Sequence, residues 1–232
     1  MKISLINAGK RFNRDWIFRK INQEFISGFA YAITGPNGSG KSTLLQAIGG
    51  AIMMSEGKAL YAIGSPQQVR AGSQSLSSSQ TGNKPTQEIE VDNAFKYISI
   101  AAPYLELIEE MTLMEMLEFH CQFKPFLSHV SIPDIITILG LKAAVNKQIR
   151  FYSSGMKQRV KLAQAIFSDV PCILLDEPCT NLDAAGIELY HQLIRDYGNN
   201  RLIIVSSNDP QEYSFCTEII SIMDHKPIIV NR

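Results

Sequence analysis

Polar and apolar residues follow two different spacings along this chain. They alternate over residues 2–8 and 18–26, which predicts β-strands with one buried face. Residues 29–34 are almost wholly apolar, as is typical of a strand buried on both faces. These three strands are expected to form an antiparallel layer. The remaining predicted strands cover residues 57–62, 94–101, 172–175, 202–205, 218–223 and 227–230.

Helix-start signals precede several of the amphipathic segments. Thr112 and Glu115 have the spacing of a capping box, and Pro133 falls in the first turn of the next helix. Short apolar strands alternate with helices in the second half of the chain, which predicts an α/β fold with a mainly parallel sheet. Helices are predicted over residues 42–48, 112–123, 131–139, 154–167 and 184–196.

Residues 64–87 differ in composition from the rest of the chain. They are rich in Ser and Gln and contain almost no large apolar side chain. Such a segment buries too little surface to offset its ordering entropy, so we predict a flexible surface insertion. A binding role for it stays open.

Overall composition excludes some classes of function. Lys and Arg together number 22, as do Asp and Glu, so the formal net charge is zero and no nucleic-acid partner is expected. The four cysteines show neither a C-x-x-C pair nor zinc-finger spacing, which favours reduced thiols in a cytosolic protein. There is neither a signal-peptide core nor an apolar run long enough to span a membrane.

The first motif with evident chemistry fits G-x-x-x-x-G-K-[S/T], the phosphate-binding loop. Its glycines allow several backbone N–H groups to converge on an anion. Lys41 is predicted to place an ammonium among phosphate oxygens, and Ser42 to ligate Mg²⁺. The predicted strand before it and helix after it supply the required context. The motif comprises Gly35, Pro36, Asn37, Gly38, Ser39, Gly40, Lys41, Ser42 and Thr43.

A second motif places two acids at the end of the predicted strand 172–175. Ligands collect beyond the carboxyl ends of parallel strands. Asp176 is therefore a candidate Mg²⁺ ligand, and Glu177 is a candidate catalytic base that polarises the attacking water. A solvated acidic turn is the alternative for this pair taken alone.

A third motif opens the predicted helix 154–167. Ser153, Ser154 and Gly155 would present N–H groups and hydroxyls to an anion at the helix N-terminus. An ordinary serine N-cap is the alternative.

These three motifs resemble the ATP-binding-cassette (ABC) ATPase family, in which they follow the same order as here: phosphate loop, serine–glycine segment, acid pair. Residues 152–156 resemble its signature motif, and residues 180–183, which end at Asp183, resemble its D-loop. The resemblance implies one P-loop NTPase domain over residues 1–232, with an antiparallel β layer and a helical subdomain over about 104–168. It also implies ATP and Mg²⁺ as ligands and a head-to-tail dimer. Ser153 and Gly155 would then contact the γ-phosphate held by the opposing subunit.

Three further positions are interpreted through the same resemblance. Phe12 matches the aromatic residue that stacks on adenine, although a core position is an alternative. Pro103 stands near the usual Gln, and Asn208 stands where a His normally contacts the γ-phosphate. Proline has no polar side chain, and an amide carries neither proton nor charge. We therefore hypothesise slow hydrolysis, or hydrolysis that needs a partner.

The resemblance also implies a place of action. The expected function is that of the ATP-binding subunit of an ABC transporter, peripheral on the cytoplasmic face of the membrane and coupled to a separate integral-membrane permease. The alternatives are a slow or binding-only cassette and a soluble ABC ATPase, for example in iron–sulfur assembly. The transported substrate and the direction of transport stay open.

Overall fold

The computed structural model describes residues 1–64 and 87–226. The predictions for residues 227–230 and for nearly all of the Ser- and Gln-rich segment lie outside this part. The strands are β1 (Lys2–Phe12), β2 (Asp15–Ile26), β3 (Ala30–Thr34), β4 (Glu56–Ile63), β5 (Gln87–Ile89), β6 (Ile98–Ala101), β7 (Cys172–Asp176), β8 (Leu202–Ser206) and β9 (Glu218–Ser221). The helices are α1 (Lys41–Ile48), α2 (Leu113–Phe123), α3 (Ile132–Ile138), α4 (Ser154–Phe167) and α5 (Ala184–Tyr197).

The strands form two sheets, as the α/β prediction required. The antiparallel sheet has the order β2-β1-β4-β5, and the second sheet has the order β6-β7-β8-β3-β9. Every described strand pair in the second sheet is parallel. The carboxyl ends of its strands therefore lie at one edge, which brings Thr34, Asp176 and Ser206 to the same side of the molecule.

The placement of β3 corrects one prediction. Residues 29–34 were expected in the antiparallel layer, but β3 lies inside the parallel sheet, where Tyr31 pairs with Ile204 on one side and Glu218 on the other. Strand β3 is apolar on both faces, and only a strand covered by packed elements on both faces can bury such a sequence.

Two other predicted strands begin or end differently. Residues 94–101 are strand only from Ile98, because Val91–Tyr97 forms a 3-10 helix. Residues 218–223 are strand only to Ser221, whose hydroxyl accepts a hydrogen bond from the Met223 N–H and starts a short 3-10 turn. Side chain–backbone bonds of this kind compete with continued sheet pairing.

The predicted helix starts are confirmed. The Thr112 side chain accepts from the Glu115 N–H while the Glu115 carboxylate accepts from the Thr112 N–H, and Ser131 and Asp134 form the same reciprocal pair at α3. Helices α2, α3 and α4 lie within the residues predicted as the helical subdomain. Among the helices of residues 1–64 and 87–226, none is long and apolar enough to cross a membrane.

The parallel sheet separates two apolar cores. Cys172 and Leu174 of β7 pack in the core that contains α1, whereas Ile173 and Leu175 pack in the core that contains α4 and α5. This alternation fixes which face each strand-end residue occupies.

Candidate nucleotide-binding site

The phosphate-binding motif forms a tight loop between β3 and α1. Gly38 and Gly40 have positive φ angles of 74° and 99°, which disfavour a residue with a Cβ. A Cβ on Gly40 would lie 2.2 Å from Cγ2 of Ile17, so the packing also requires glycine there. Pro36, Asn37 and Gly38 are exposed at the loop tip, and Ser42 and Thr43 are half-buried in the first turn of α1.

Lys41 is held inside this loop. Its side chain is buried, and Nζ donates hydrogen bonds to the carbonyl oxygens of Gly35 at 2.9 Å and Pro36 at 3.3 Å. A phosphate oxygen entering the loop would compete with these carbonyls for the ammonium protons. The loop therefore holds its positive charge at the N-terminal end of α1, which itself favours anions.

The acidic pair occupies two different settings at the end of β7. Asp176 is 1% exposed, whereas Glu177 is half-buried. Glu177 has a φ of +43°, and its N–H donates to the Ser206 carbonyl at 2.9 Å. This left-handed turn gives the two neighbouring carboxylates separate surroundings, as separate roles require.

Unpartnered oxygens show what the site can accept. In the described part of the chain, three buried side-chain oxygen atoms have no hydrogen-bond partner: Ser39 Oγ, Asp176 Oδ1 and Ser206 Oγ. Carboxylate and hydroxyl oxygens are ligands that suit Mg²⁺. The unpartnered Asp176 Oδ1 therefore suits a divalent cation such as Mg²⁺ at this edge of the sheet.

The signature segment lies beside a second cavity. Ser153 caps α4, because its hydroxyl accepts a hydrogen bond from the Met156 N–H at 3.2 Å. The Ser153 hydroxyl therefore serves as an ordinary helix N-cap in this structure. Gly155 approaches the 180–183 loop so closely that a Cβ would lie 2.9 Å from the Asn181 carbonyl oxygen. Asp183 caps α5 by accepting from the Gly186 N–H at 2.8 Å and also pairs with Arg159.

This cavity has a volume of about 400 Å³. Ser153, Ser154, Gly155 and Asp183 all line it. Its described lining includes no residue of the phosphate-binding loop. This cavity therefore contains the signature segment and Asp183 without the phosphate loop of the same chain.

Three other predicted positions lie at the surface. Phe12 is 49% exposed at the end of β1, with Lys10 Nζ 5.0 Å from its ring centroid, so the core alternative for Phe12 is wrong. Pro103 and Asn208 are also exposed. The Pro103 carbonyl accepts a hydrogen bond from Lys161 Nζ at 3.0 Å, which ties this segment to α4.

Sequence reasoning missed three polar residues of this region: Gln158, Ser206 and Glu212. Gln158 is buried and donates to the Pro178 carbonyl at 2.7 Å, which joins α4 to the loop after Glu177. Ser206 could have been noticed as the polar residue that ends an apolar strand. Glu212 gave no comparable signal, because its hydrogen-bond donor Cys179 lies 33 residues earlier in the chain.

A phosphate-binding loop between β3 and α1, with an acid pair at a neighbouring strand end, defines a P-loop nucleotide-binding protein. The sequence model of the family described as "ABC transporter" matches residues 18–180, more than half of the chain. The protein therefore belongs to the ABC transporter family of ATP-binding proteins, and this membership implies ATP binding and hydrolysis. It confirms the resemblance and the predicted fold class.

Individual relatives agree with this assignment. The chain is 26% identical over 225 residues to the ABC transporter ATP-binding protein YybJ of Bacillus subtilis, covering 96% of this chain and 93% of YybJ. It is 26% identical to the cytochrome c biogenesis ATP-binding export protein CcmA of Agrobacterium fabrum, covering 90% of each. The fold matches the dimeric, post-hydrolysis structure of the ATP-binding cassette MJ0796 bound to ADP and Pi, with a TM-score of 0.71, 23% identity, and coverage of 94% and 93%.

Proposed function

We propose that this chain is the ATP-binding subunit of an ABC transporter, in which Mg-ATP binding and hydrolysis drive a separate permease. The observation that carries the proposal is the shared sheet edge, where the phosphate loop around Lys41 and the unpartnered Asp176 Oδ1 lie at the ends of β3 and β7. One of these groups suits phosphate oxygens and the other suits a divalent cation.

The nucleotide would be held by residues with different roles. The phosphate loop binds the phosphates through its N–H groups and Lys41, while Ser42 and Asp176 hold Mg²⁺. Glu177 acts as the base toward the attacking water, with Asn208 on the next strand end facing the γ-phosphate. Phe12, exposed beside Lys10, supplies an aromatic face for adenine.

A second cassette would complete the site. The signature residues and Asp183 border a cavity apart from the phosphate loop of the same chain. A head-to-tail pair would place the signature cavity of one subunit over the phosphate loop of the other. Gly155 lets the 180–183 loop pack against the start of α4 at the border of this cavity, since a Cβ would lie 2.9 Å from the Asn181 carbonyl oxygen.

An exposed apolar surface supports a permease partner. Val91 and Phe95, 50% and 58% exposed, line a cavity of about 350 Å³ that reaches Lys124. Phe119 and Phe123 stack edge to face on α2, and Phe123 is 73% exposed. Exposed aromatic clusters of this kind mark protein–protein interfaces. Binding there would hold the chain at the cytoplasmic face of a membrane.

The role of Glu177 is tested by comparing the Kd for Mg-ATP and the ATP turnover of wild type with those of Glu177→Gln. We expect the variant to bind Mg-ATP with unchanged Kd and to lose about 10²–10⁴-fold in turnover, because a general base contributes about that much. Glu188→Gln is the matched control, since Glu188 forms an exposed ion pair with Arg195 on α5. Equal turnover in wild type and Glu177→Gln would refute the role of Glu177.

A binding-only cassette is the second candidate, favoured by Pro103 and Asn208. It predicts Mg-ATP binding without hydrolysis, even in a single turnover of the dimer at saturating protein. Purification from detergent-solubilised membranes tests the transporter assignment separately. A multi-span membrane protein should accompany the wild type and be lost from Phe119→Ser/Phe123→Ser, and its absence from both preparations would favour a role away from the membrane.

A further inference from the structure

Ser206 is a buried serine whose hydroxyl lacks a hydrogen bond. It ends β8, is fully buried, and its Oγ has no partner among the residues of 1–64 and 87–226. Its backbone is firmly placed, since the residue pairs with Asp176 in the parallel ladder and its carbonyl accepts from the Glu177 N–H at 2.9 Å. The unpartnered group is therefore the side chain alone.

The alternation of β8 and β7 determines the direction of this side chain. Leu202 and Ile204 pack in the core that contains α1, so Ser206, two residues further on, continues on that face. Cys172 and Leu174 do the same on β7, which places Asp176 on the α1 face as well. The phosphate loop leads into α1 at this edge of the sheet. Ser206 and Asp176 thus lie side by side beneath the start of α1.

Ser39, in the phosphate loop, is the other buried serine of the described residues whose hydroxyl has no partner, whereas buried serines away from this site are hydrogen-bonded. Ser99 Oγ donates to the Ala165 carbonyl at 2.7 Å, and Ser27 Oγ accepts from the N-terminal amine at 2.7 Å. A buried hydroxyl without a partner destabilises the folded protein, and an apolar residue in the last position of β8 would avoid that cost. Unpaired buried groups of this kind concentrate at functional sites, where a ligand completes them.

We propose that Ser206 is a positioning residue of the magnesium–nucleotide site, where its hydroxyl hydrogen-bonds a water in the shell of the Mg²⁺ that Asp176 holds. This inference rests on the proposed function. Mg²⁺ keeps several of its waters when it binds to proteins, and these waters need acceptors. Residues around the metal that orient its shell commonly affect affinity as strongly as some direct ligands.

The test measures binding of a non-hydrolysable ATP analogue to the full chain, with Mg²⁺ and with EDTA. Ser206→Ala should weaken binding about 3- to 10-fold in Mg²⁺, the equivalent of one hydrogen bond, and leave binding in EDTA unchanged. Ser206→Thr keeps the hydroxyl and should retain the Mg²⁺ effect. Ser99→Ala is the matched control, because it removes a satisfied hydroxyl on the opposite face of the same sheet.

Thermal unfolding separates this role from a structural one. Without nucleotide, Ser206→Ala should be at least as stable as wild type, since it removes an unpaired buried group, whereas Ser99→Ala should be less stable. The gain in Tm on adding Mg²⁺ and the analogue should be smaller for Ser206→Ala than for wild type. Equal Mg²⁺ effects in wild type and Ser206→Ala would overturn the inference. Absence of Mg²⁺-dependent binding in the wild type would instead refute the proposed function.

Discussion

The Glu212 carboxylate accepts a hydrogen bond of 2.7 Å from the backbone N–H of Cys179, 33 residues earlier in the chain. The same side chain is hydrogen-bonded to Ser207, next to Asn208, and its own carbonyl accepts from the Tyr190 hydroxyl at 2.7 Å. Glu212 therefore joins the loop after Glu177 to the segment that carries Asn208.

Removing this carboxylate should loosen both loops. In Glu212→Ala the Cys179 N–H is left unpaired in a buried setting, which should lower the free energy of unfolding by about 1–3 kcal/mol. Urea denaturation followed by circular dichroism measures the loss. Turnover should also fall, because Glu212 holds the segments that carry Glu177 and Asn208. The Kd for Mg-ATP should change little, because Glu212 is not part of the phosphate loop. Unchanged stability would show that the bond contributes nothing.

The protonation of Glu212 gives a second readout. Burial raises the pKa of this carboxyl above its ordinary value of 4.5, despite opposing hydrogen bonds from Ser207 and Cys179. The folded protein thus keeps the proton to higher pH than the unfolded chain does. Its contribution to stability is present below pH 4.5 and is lost as the pH rises through the folded pKa. Glu212→Gln should remove this part of the pH dependence.

Because of His120, we expect the free energy of unfolding to decrease in mild acid. Burial, with a smaller contribution from Lys124, lowers the pKa of His120 to about 4. Its Nε2 lies 2.8 Å from Ser168 Oγ, and its ring stacks on Phe126. Between pH 6.5 and about 4 the unfolded chain binds a proton that the folded protein does not, so the free energy of unfolding should fall as the pH falls.

His120→Phe keeps an aromatic ring against Phe126 and removes the titrating group. Urea denaturation at pH 7 and pH 5 should give a larger drop for wild type than for this variant. Carboxylate titrations affect both proteins equally, so the difference between the two drops reports on His120 alone. Equal drops would mean that His120 is not buried in its neutral form.

Local motifs were predictable from the sequence, but their long-range partners were not. The phosphate loop and the capping box at Thr112 are predictable because each depends on residues a few positions apart. The sheet position of β3 was mistaken, because an apolar run shows that a strand is buried without identifying its neighbours. Ser206 and Glu212 were missed for a related reason. One is distinguished by a hydrogen bond it lacks, and the other by a bond across 33 residues.

The backbone shape of the phosphate loop can be tested without changing any charge, by substituting its glycines and measuring ATP affinity. Gly40→Ala would place a methyl group 2.2 Å from Ile17 Cγ2 at a positive φ, so we expect at least about a tenfold loss of ATP affinity as the loop is displaced. Gly38→Ala is the matched control, because its φ is also positive but no atom lies within 4 Å of the added Cβ.

A second variant tests the cause of that loss. Ile17→Ala removes the clashing methyl group, so the Gly40→Ala/Ile17→Ala protein should regain part of the affinity. Isothermal titration with Mg-ATP measures all four proteins. Failure of the double variant to recover would assign the effect to the backbone angle rather than to the contact with β2.

We expect that replacing Asn208 by His raises the rate of ATP hydrolysis. The residue is exposed directly after Ser207, so a larger ring is accommodated without repacking. An imidazole can carry a proton and a charge near neutral pH, which an amide cannot do. Asn208→His should therefore increase steady-state ATP turnover and add a pH dependence near 6.5, both measured by phosphate release. Asn199→His, at the opposite edge of the sheet before β8, should change neither. A wild type that already hydrolyses ATP as fast as Asn208→His would contradict the hypothesis that this position limits the rate.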